Sequence, residues 1–291
     1  KTYGDEWYYE LKCDAFTMKG EASSSTFTIT DVPMQNYQLK LRSADGIQLT
    51  TLTGTMENGE IAQPVSITRN TMQEDLYQKI ISDEALTWVF AGDSITHASI
   101  WTYGYDSTPQ LMEKYMRDVW KRNNDTFINT GVCSATTQST LNRVNRRITD
   151  YQPDVLVIML GTNDNAGRVS KSHYLQRMQA LIDAAKAVNQ DVTIVLRTPA
   201  AHFHSGYGMA TLSDYVNYTE ELAQTNRCIM VDQYNGLHEL FTTDYPWLKN
   251  DLSFFGDAIH PGAGGQIIMT RRLLKEMGLW SEDSWLADHW V

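Results

Sequence analysis

From Leu86 onward the chain keeps one grammar: short apolar runs of strand length alternate with longer segments whose apolar residues recur at helical spacing. Strands buried on both faces read as unbroken apolar runs, so this alternation confines the segment to a parallel sheet covered by helices on both sides. The predicted strands are 87–92, 126–130, 155–160, 192–196 and 228–231. Between the first two, Leu111, Met112, Tyr115, Met116, Val119 and Trp120 share one helical face, with Thr108 as predicted N-cap and Pro109 at the first helical position. After the third strand, Tyr174, Met178, Leu181, Ile182, Ala185 and Val188 repeat that face, and a last helix runs from Gln266 to Met277 and stops at Gly278. Five strands with intervening helices predict a three-layer α/β/α, flavodoxin-like sheet whose site lies outside the carboxyl ends of the strands.

The first 70 residues follow a different period. Tyr37, Leu39 and Leu41 alternate with polar residues, as do Ile47 and Leu49, and Asp45-Gly46 and Asn58-Gly59 are hairpin turn signals. Residues 1–70 therefore read as a small all-β, sandwich-like module, 71–85 as an amphipathic linker helix, and 86–291 as the α/β domain.

Charge and cysteine usage narrow the function classes. A formal charge of −11 repels nucleic-acid phosphates and anionic membrane surfaces; the densest basic run, Arg143, Arg146 and Arg147, reads as a solvated helix face. No stretch approaches the roughly 20 apolar residues of a membrane span, and the start at Lys1 shows neither a basic nor an apolar leader segment. Cys13, Cys133 and Cys228 form neither a disulfide framework nor a metal cluster, and Cys133 reads as a small buried thiol.

Four short segments then converge on the carboxyl edge of the sheet. Gly92-Asp93-Ser94 follows the first strand and Gly131 the second; Gly161-Thr162-Asn163-Asp164 follows the third, and Asp257-Ala258-Ile259-His260 precedes the last helix. In these blocks the chain resembles the SGNH hydrolases, whose four marker residues match Ser94, Gly131, Asn163 and His260 in order and strand context over roughly residues 86–280. No Gly-x-Ser-x-Gly elbow occurs, which separates it from the ordinary α/β-hydrolases.

The resemblance implies a serine esterase without metal or organic cofactor. A serine hydroxyl needs a neighbouring base to become a nucleophile, and imidazole, with an ordinary pKa of about 6.5, suits that task near neutrality. Ser94 is then the nucleophile, His260 its base and Asp257 the carboxylate that orients the ring, with an acid limb of activity expected near pH 6 to 7. The N–H groups of Ser94 and Gly131 and the Asn163 amide form the implied oxyanion hole. Ala98 and Ser134 depart from the pattern, standing where many relatives carry glycine.

Other residues invite rival readings. His202 and His204 form a His-x-His pair without further ligands at familiar spacing, so lining the pocket is preferred to binding metal. Asp93, Asp164 and Asp232 read as loop or helix caps. Trp101 and Tyr103, after the nucleophile loop, join His202 and Phe255 as candidate substrate-binding residues, since aromatic faces stack on sugars or line acyl pockets. A small-molecule or glycan ester is the expected partner, O-deacetylation of a carbohydrate the favoured reaction, and a secreted or cell-surface location the matching expectation. A lipid or acyl-thioester hydrolase and a catalytically silent glycan-binding module remain as alternatives, and the sequence is silent on oligomeric state.

Overall fold

The computed structural model describes residues 71–208, 211–244, 246–281 and 283–288, and ahead of these the backbone of five strands. Those strands, β1 (Trp7–Cys13), β2 (Phe16–Ala22), β3 (Asn36–Ser43), β4 (Gln48–Glu57) and β5 (Glu60–Ile61), pair antiparallel in the order β2-β1-β3-β4-β5. Leu39 pairs with Leu52 in the register of β3 and β4, and Glu57 with Glu60 in that of β4 and β5. The turn dipeptides Asp45-Gly46 and Asn58-Gly59 lie outside the described residues.

The second sheet carries the site. Its strands β6 (Thr87–Gly92), β7 (Thr126–Asn129), β8 (Val155–Met159), β9 (Thr193–Arg197) and β10 (Ile229–Val231) are all parallel, in the order β10-β9-β8-β6-β7. Successive side chains on a strand point to opposite faces, and both faces are apolar. Trp88, Phe90, Val155, Val157, Val195, Ile229 and Val231 meet the helices Thr71–Ile81, Thr108–Asp118 and Ala263–Glu276 on one side. Val89, Ala91, Leu156, Ile158, Ile194 and Leu196 meet Lys171–Val188 and Leu212–Asn226 on the other. Each Val, Leu, Ile or Phe among them, fully buried, contributes about 1.5–3 kcal/mol. The chain order reverses direction at β6 and β8, which opens the crevice in which a site is expected.

Three helical details differ from the sequence reading. The N-cap of the helix Thr108–Asp118 is Ser107, whose N–H and hydroxyl both donate to Gln110 Oε1. Thr108 is taken instead by Gln266 of the last helix, whose Oε1 accepts from its N–H at 2.9 Å and its hydroxyl at 2.8 Å. Val188, at the end of its helix, is 40% exposed. Among the described residues no helix is long and apolar enough to cross a membrane.

Candidate active site

Strand β6 delivers the serine. A Cβ on Gly92 would sit 2.1 Å from Thr96 Oγ1 and 2.8 Å from the Met159 carbonyl, so only glycine lets the strand turn here into the short helix Ser94–His97. Asp93 caps that helix, its Oδ1 accepting from the Ile95 N–H at 2.9 Å. Burial pushes the Asp93 carboxyl up to about 7, with the nearby Asp164 acting in the same direction. The Ser94 N–H, in the first helical turn where no intrahelical acceptor exists, makes no hydrogen bond among the described residues. On the far side, Gln266 Nε2 donates to the Ile95 carbonyl at 3.1 Å and pins this helix to the last one.

The loop before that last helix delivers the histidine. It closes on itself through Gly256 N–H to the His260 carbonyl at 2.8 Å and Gly262 N–H to the Phe254 carbonyl at 2.7 Å. Within it Asp257 Oδ1 accepts from the N–H groups of Ile259 at 2.7 Å and His260 at 2.8 Å. The His260 ring bridges the two loops, with Nδ1 2.8 Å from Asp257 Oδ2 and Nε2 2.8 Å from Ser94 Oγ. A carboxylate only accepts, so it holds the ring proton on Nδ1 and leaves the Nε2 lone pair facing the hydroxyl. Burial pushes His260 below its ordinary value of 6.5, against the opposing pull of Asp257. Burial alone would raise Asp257, but the two N–H groups and the His260 ring outweigh it and hold the carboxyl below its ordinary value.

Asn163 follows β8, in the helix Thr162–Ala166. Its Nδ2 donates to the Ala135 carbonyl at 3.0 Å, and its Oδ1 accepts from the Tyr207 hydroxyl at 2.8 Å. The tyrosine thereby decides which end of the amide faces which way. Tyr207 was not legible as a site residue, since nothing in its local sequence, Gly206-Tyr207-Gly208, marks it.

The Gly131 N–H donates to Asn129 Oδ1 at 2.9 Å. Glycine is needed there for room: a Cβ would lie 2.7 Å from His97 N and 3.1 Å from the Asp93 carbonyl. Immediately afterwards the Ala135 N–H bonds back to the Val132 carbonyl, closing a turn over Cys133 and Ser134 whose own N–H groups have no partner among the described residues. Ser134 stands at φ 61° and Ala98 at φ 58°, the left-handed region that favours glycine.

The proposed substrate-binding residues separate. Phe255 is buried and packs edge-on against Phe203 and Phe241, with ring centroids 5.1 and 4.6 Å away, so it is core beneath the loop and does not face a ligand. His202 is buried as well; burial pushes it down to about 4, and neither ring nitrogen finds a partner among the described residues. Tyr103 is 63% exposed, and its hydroxyl reaches the Gly256 carbonyl at 3.3 Å across the mouth between the two loops. Trp101 lies flat on the His260 ring. Cys133, read as buried, is exposed on its turn. Asp164 accepts from the Thr137 N–H and hydroxyl, and Asp232 caps its helix through the Asn235 N–H, so neither meets His260. Among the described residues no group of three or more His, Cys, Asp or Glu is gathered where it could hold a metal ion.

A model of the GDSL-like Lipase/Acylhydrolase family matches residues 90–267. An uncharacterised protein of Mycoplasma pneumoniae is 27% identical over 213 residues, which are 66% of this chain but only 24% of that protein's length. An acetylxylan esterase of Geobacillus stearothermophilus is 24% identical over 163 residues, 52% of this chain and 71% of its own. A crystal structure of an acetylxylan esterase from the same organism superposes with a TM-score of 0.55 at 20% identity, covering 66% of this chain and 94% of that one. An α/β hydrolase enzyme from the metagenome of Lake Arreo, Spain, gives a TM-score of 0.56 at 19% identity, covering 67% and 97%. At such identities the structural likeness is one of fold.

Proposed function

Because the chain belongs to the GDSL-like lipase/acylhydrolase family, we propose that it is a serine esterase that removes O-acetyl groups from a carbohydrate. The observation that carries the esterase reading is the continuous line from Ser94 Oγ through the His260 ring to the Asp257 carboxylate, with both contacts at 2.8 Å. In this reading His260 Nε2 takes the hydroxyl proton as Ser94 Oγ attacks the ester carbonyl, and Asp257 stabilises the imidazolium that forms. The tetrahedral oxygen is met by the Ser94 N–H and Asn163 Nδ2. The Gly131 N–H, assigned from sequence as the third donor, rests on Asn129 Oδ1, and in the turn that follows it the Ser134 N–H has no partner among the described residues. His260 returns the proton to the departing alcohol, and a water then releases the acyl group by the same steps.

The acetylxylan esterase of Geobacillus stearothermophilus among the relatives favours acetyl as the acyl group and a polysaccharide as the alcohol. A secreted or cell-surface place is proposed with that substrate. Hydrolysis of p-nitrophenyl esters from acetate to octanoate, run beside release of acetate from acetylated xylo-oligosaccharides, tests the substrate. Activity confined to acetate, with acetate released from the oligosaccharides, is expected; a rising rate with longer chains transfers the protein to lipid or thioester hydrolysis.

Two further outcomes follow from the geometry. His260 must be neutral to accept a proton, and burial holds it below 6.5, so kcat/KM is expected to persist to lower pH than an ordinary histidine allows. The limb then lies on the acid side of 6.5; a midpoint above 6.5, or a flat profile to pH 4, contradicts the assignment. Tyr207→Phe removes the bond that orients Asn163, worth about 1 kcal/mol, and is expected to lower kcat about fivefold with KM little changed. A kcat equal to that of the unmutated protein contradicts an orienting role.

A further inference from the structure

The Trp101 indole and the His260 imidazole are stacked, with ring centroids 3.6 Å apart and planes 10° from parallel. The edges of the imidazole are engaged, Nε2 by Ser94 and Nδ1 by Asp257, so the indole covers one of the ring's two faces. Its place is built into both loops. The Trp101 N–H bonds back to the Ala98 carbonyl at 3.0 Å, and a Cβ on Gly256 would lie 2.6 Å from the Trp101 carbonyl oxygen and 2.7 Å from its Cβ. Glycine immediately before Asp257 is therefore what lets the Trp101 backbone rest against the loop that carries the acid and the histidine. The Tyr103 hydroxyl ties the same turn to the Gly256 carbonyl.

From this geometry we infer that Trp101 is a positioning residue, which holds the His260 ring in the plane shared by Ser94 and Asp257 and stabilises its protonated form through the indole face. The inference rests on the esterase reading for its functional meaning. An indole face attracts a cation placed over it by its quadrupole, and His260 becomes a cation only after it has taken the serine proton. The interaction is thus weak in the resting state and strong as the tetrahedral intermediate forms, which is when a contribution to rate is made. An apolar side chain of similar bulk would keep water off the ring without supplying that attraction.

Among the described residues the groups facing His260 are few. Asp257 lies on its own loop, the Ser94 hydroxyl on the loop after β6, and His202 on the segment after β9. Burial keeps His202 from protonating until about pH 4, so over the range in which His260 titrates the charged neighbour is Asp257. One face of Trp101 is thus occupied by the base.

The test compares Trp101→Phe with Trp101→Leu in the whole chain. The titration of His260 is followed by NMR of its imidazole carbons, assigned by loss of the signal in His260→Gln, and kcat and KM are measured with p-nitrophenyl acetate. Trp101→Leu is expected to move the His260 midpoint to lower pH by about half a pH unit or more and to lower kcat about tenfold with KM little changed. Trp101→Phe is expected to retain most of both. A midpoint that stays or rises in the leucine variant overturns the inference, as does an equal loss of kcat in both variants at an unmoved midpoint. A raised KM with unchanged kcat also overturns it and returns Trp101 to substrate binding. The titration needs no turnover, so it still decides the stacking role if Ser94→Ala hydrolyses esters as well as the unmutated protein and the esterase reading fails.

Discussion

Ser94→Ala is expected to lower kcat for p-nitrophenyl acetate by about 10⁴-fold or more while leaving the fold in place. The side chain lies at the start of a four-residue helix whose cap is Asp93 and whose anchorage is Gln266, and neither contact passes through the Ser94 hydroxyl. Alanine removes one hydrogen bond, that to His260 Nε2, so thermal unfolding should shift by little. Activity should collapse because the hydroxyl that faces the imidazole is gone. His260→Ala is expected to cost a similar factor. The double variant should lose little more than either single one, because a nucleophile without its base and a base without its nucleophile are both idle. A loss below tenfold in Ser94→Ala, or strictly multiplicative losses in the double variant, would remove the pair from the centre of the reaction.

The second large effect belongs to Asn163. Its amide adjoins the Ala135 carbonyl and is aimed by Tyr207. Removing one such donor from an oxyanion hole typically costs about 10²–10³ in turnover. Asn163→Ala is expected to show that loss in kcat with an unchanged circular dichroism spectrum and a KM near that of the unmutated protein, since the donor acts on charge that develops only as the carbonyl becomes tetrahedral. A loss under threefold would take Asn163 out of the hole and leave the stabilisation to the backbone N–H groups alone.

The α/β sheet was legible because burial on both faces leaves little choice of residue. Val155-Leu156-Val157-Ile158-Met159 is apolar at every position, and it is a strand buried at every position. The errors share a different cause: they arose where a partner remote in sequence decides what a residue does. Thr108 has the chemistry of an N-cap, but Gln266 claims both its polar groups, and Ser107 caps instead. Phe255 sits two residues before Asp257 and was read as bordering the cleft, yet Phe203 and Phe241 arrive from other segments and bury it. Gly131 matches the marker glycine, and the reason for a glycine is visible only with His97 and Asp93 in place beside it. The departures at Ala98 and Ser134 were readable in sequence, whereas their meaning was not until both proved to lie at positive φ.

That Ser94, Asp257 and His260 meet was readable for a simpler reason. Asp257 and His260 lie three residues apart on one loop, so a single turn of chain brings carboxylate and ring together. The parallel topology carries that loop to the edge where β6 ends. Tyr207 and the stacking of Trp101 on His260 join loops that no local pattern connects, and both came to light only in three dimensions.

The central claim, that Ser94 is a nucleophile activated by His260, is tested most directly by covalent labelling with a fluorophosphonate followed by peptide mass spectrometry. The account predicts one adduct per chain, on the peptide carrying Ser94, absent in Ser94→Ala and formed far more slowly in His260→Ala. An adduct on another serine, or equal labelling of Ser94→Ala and the unmutated protein, would contradict it.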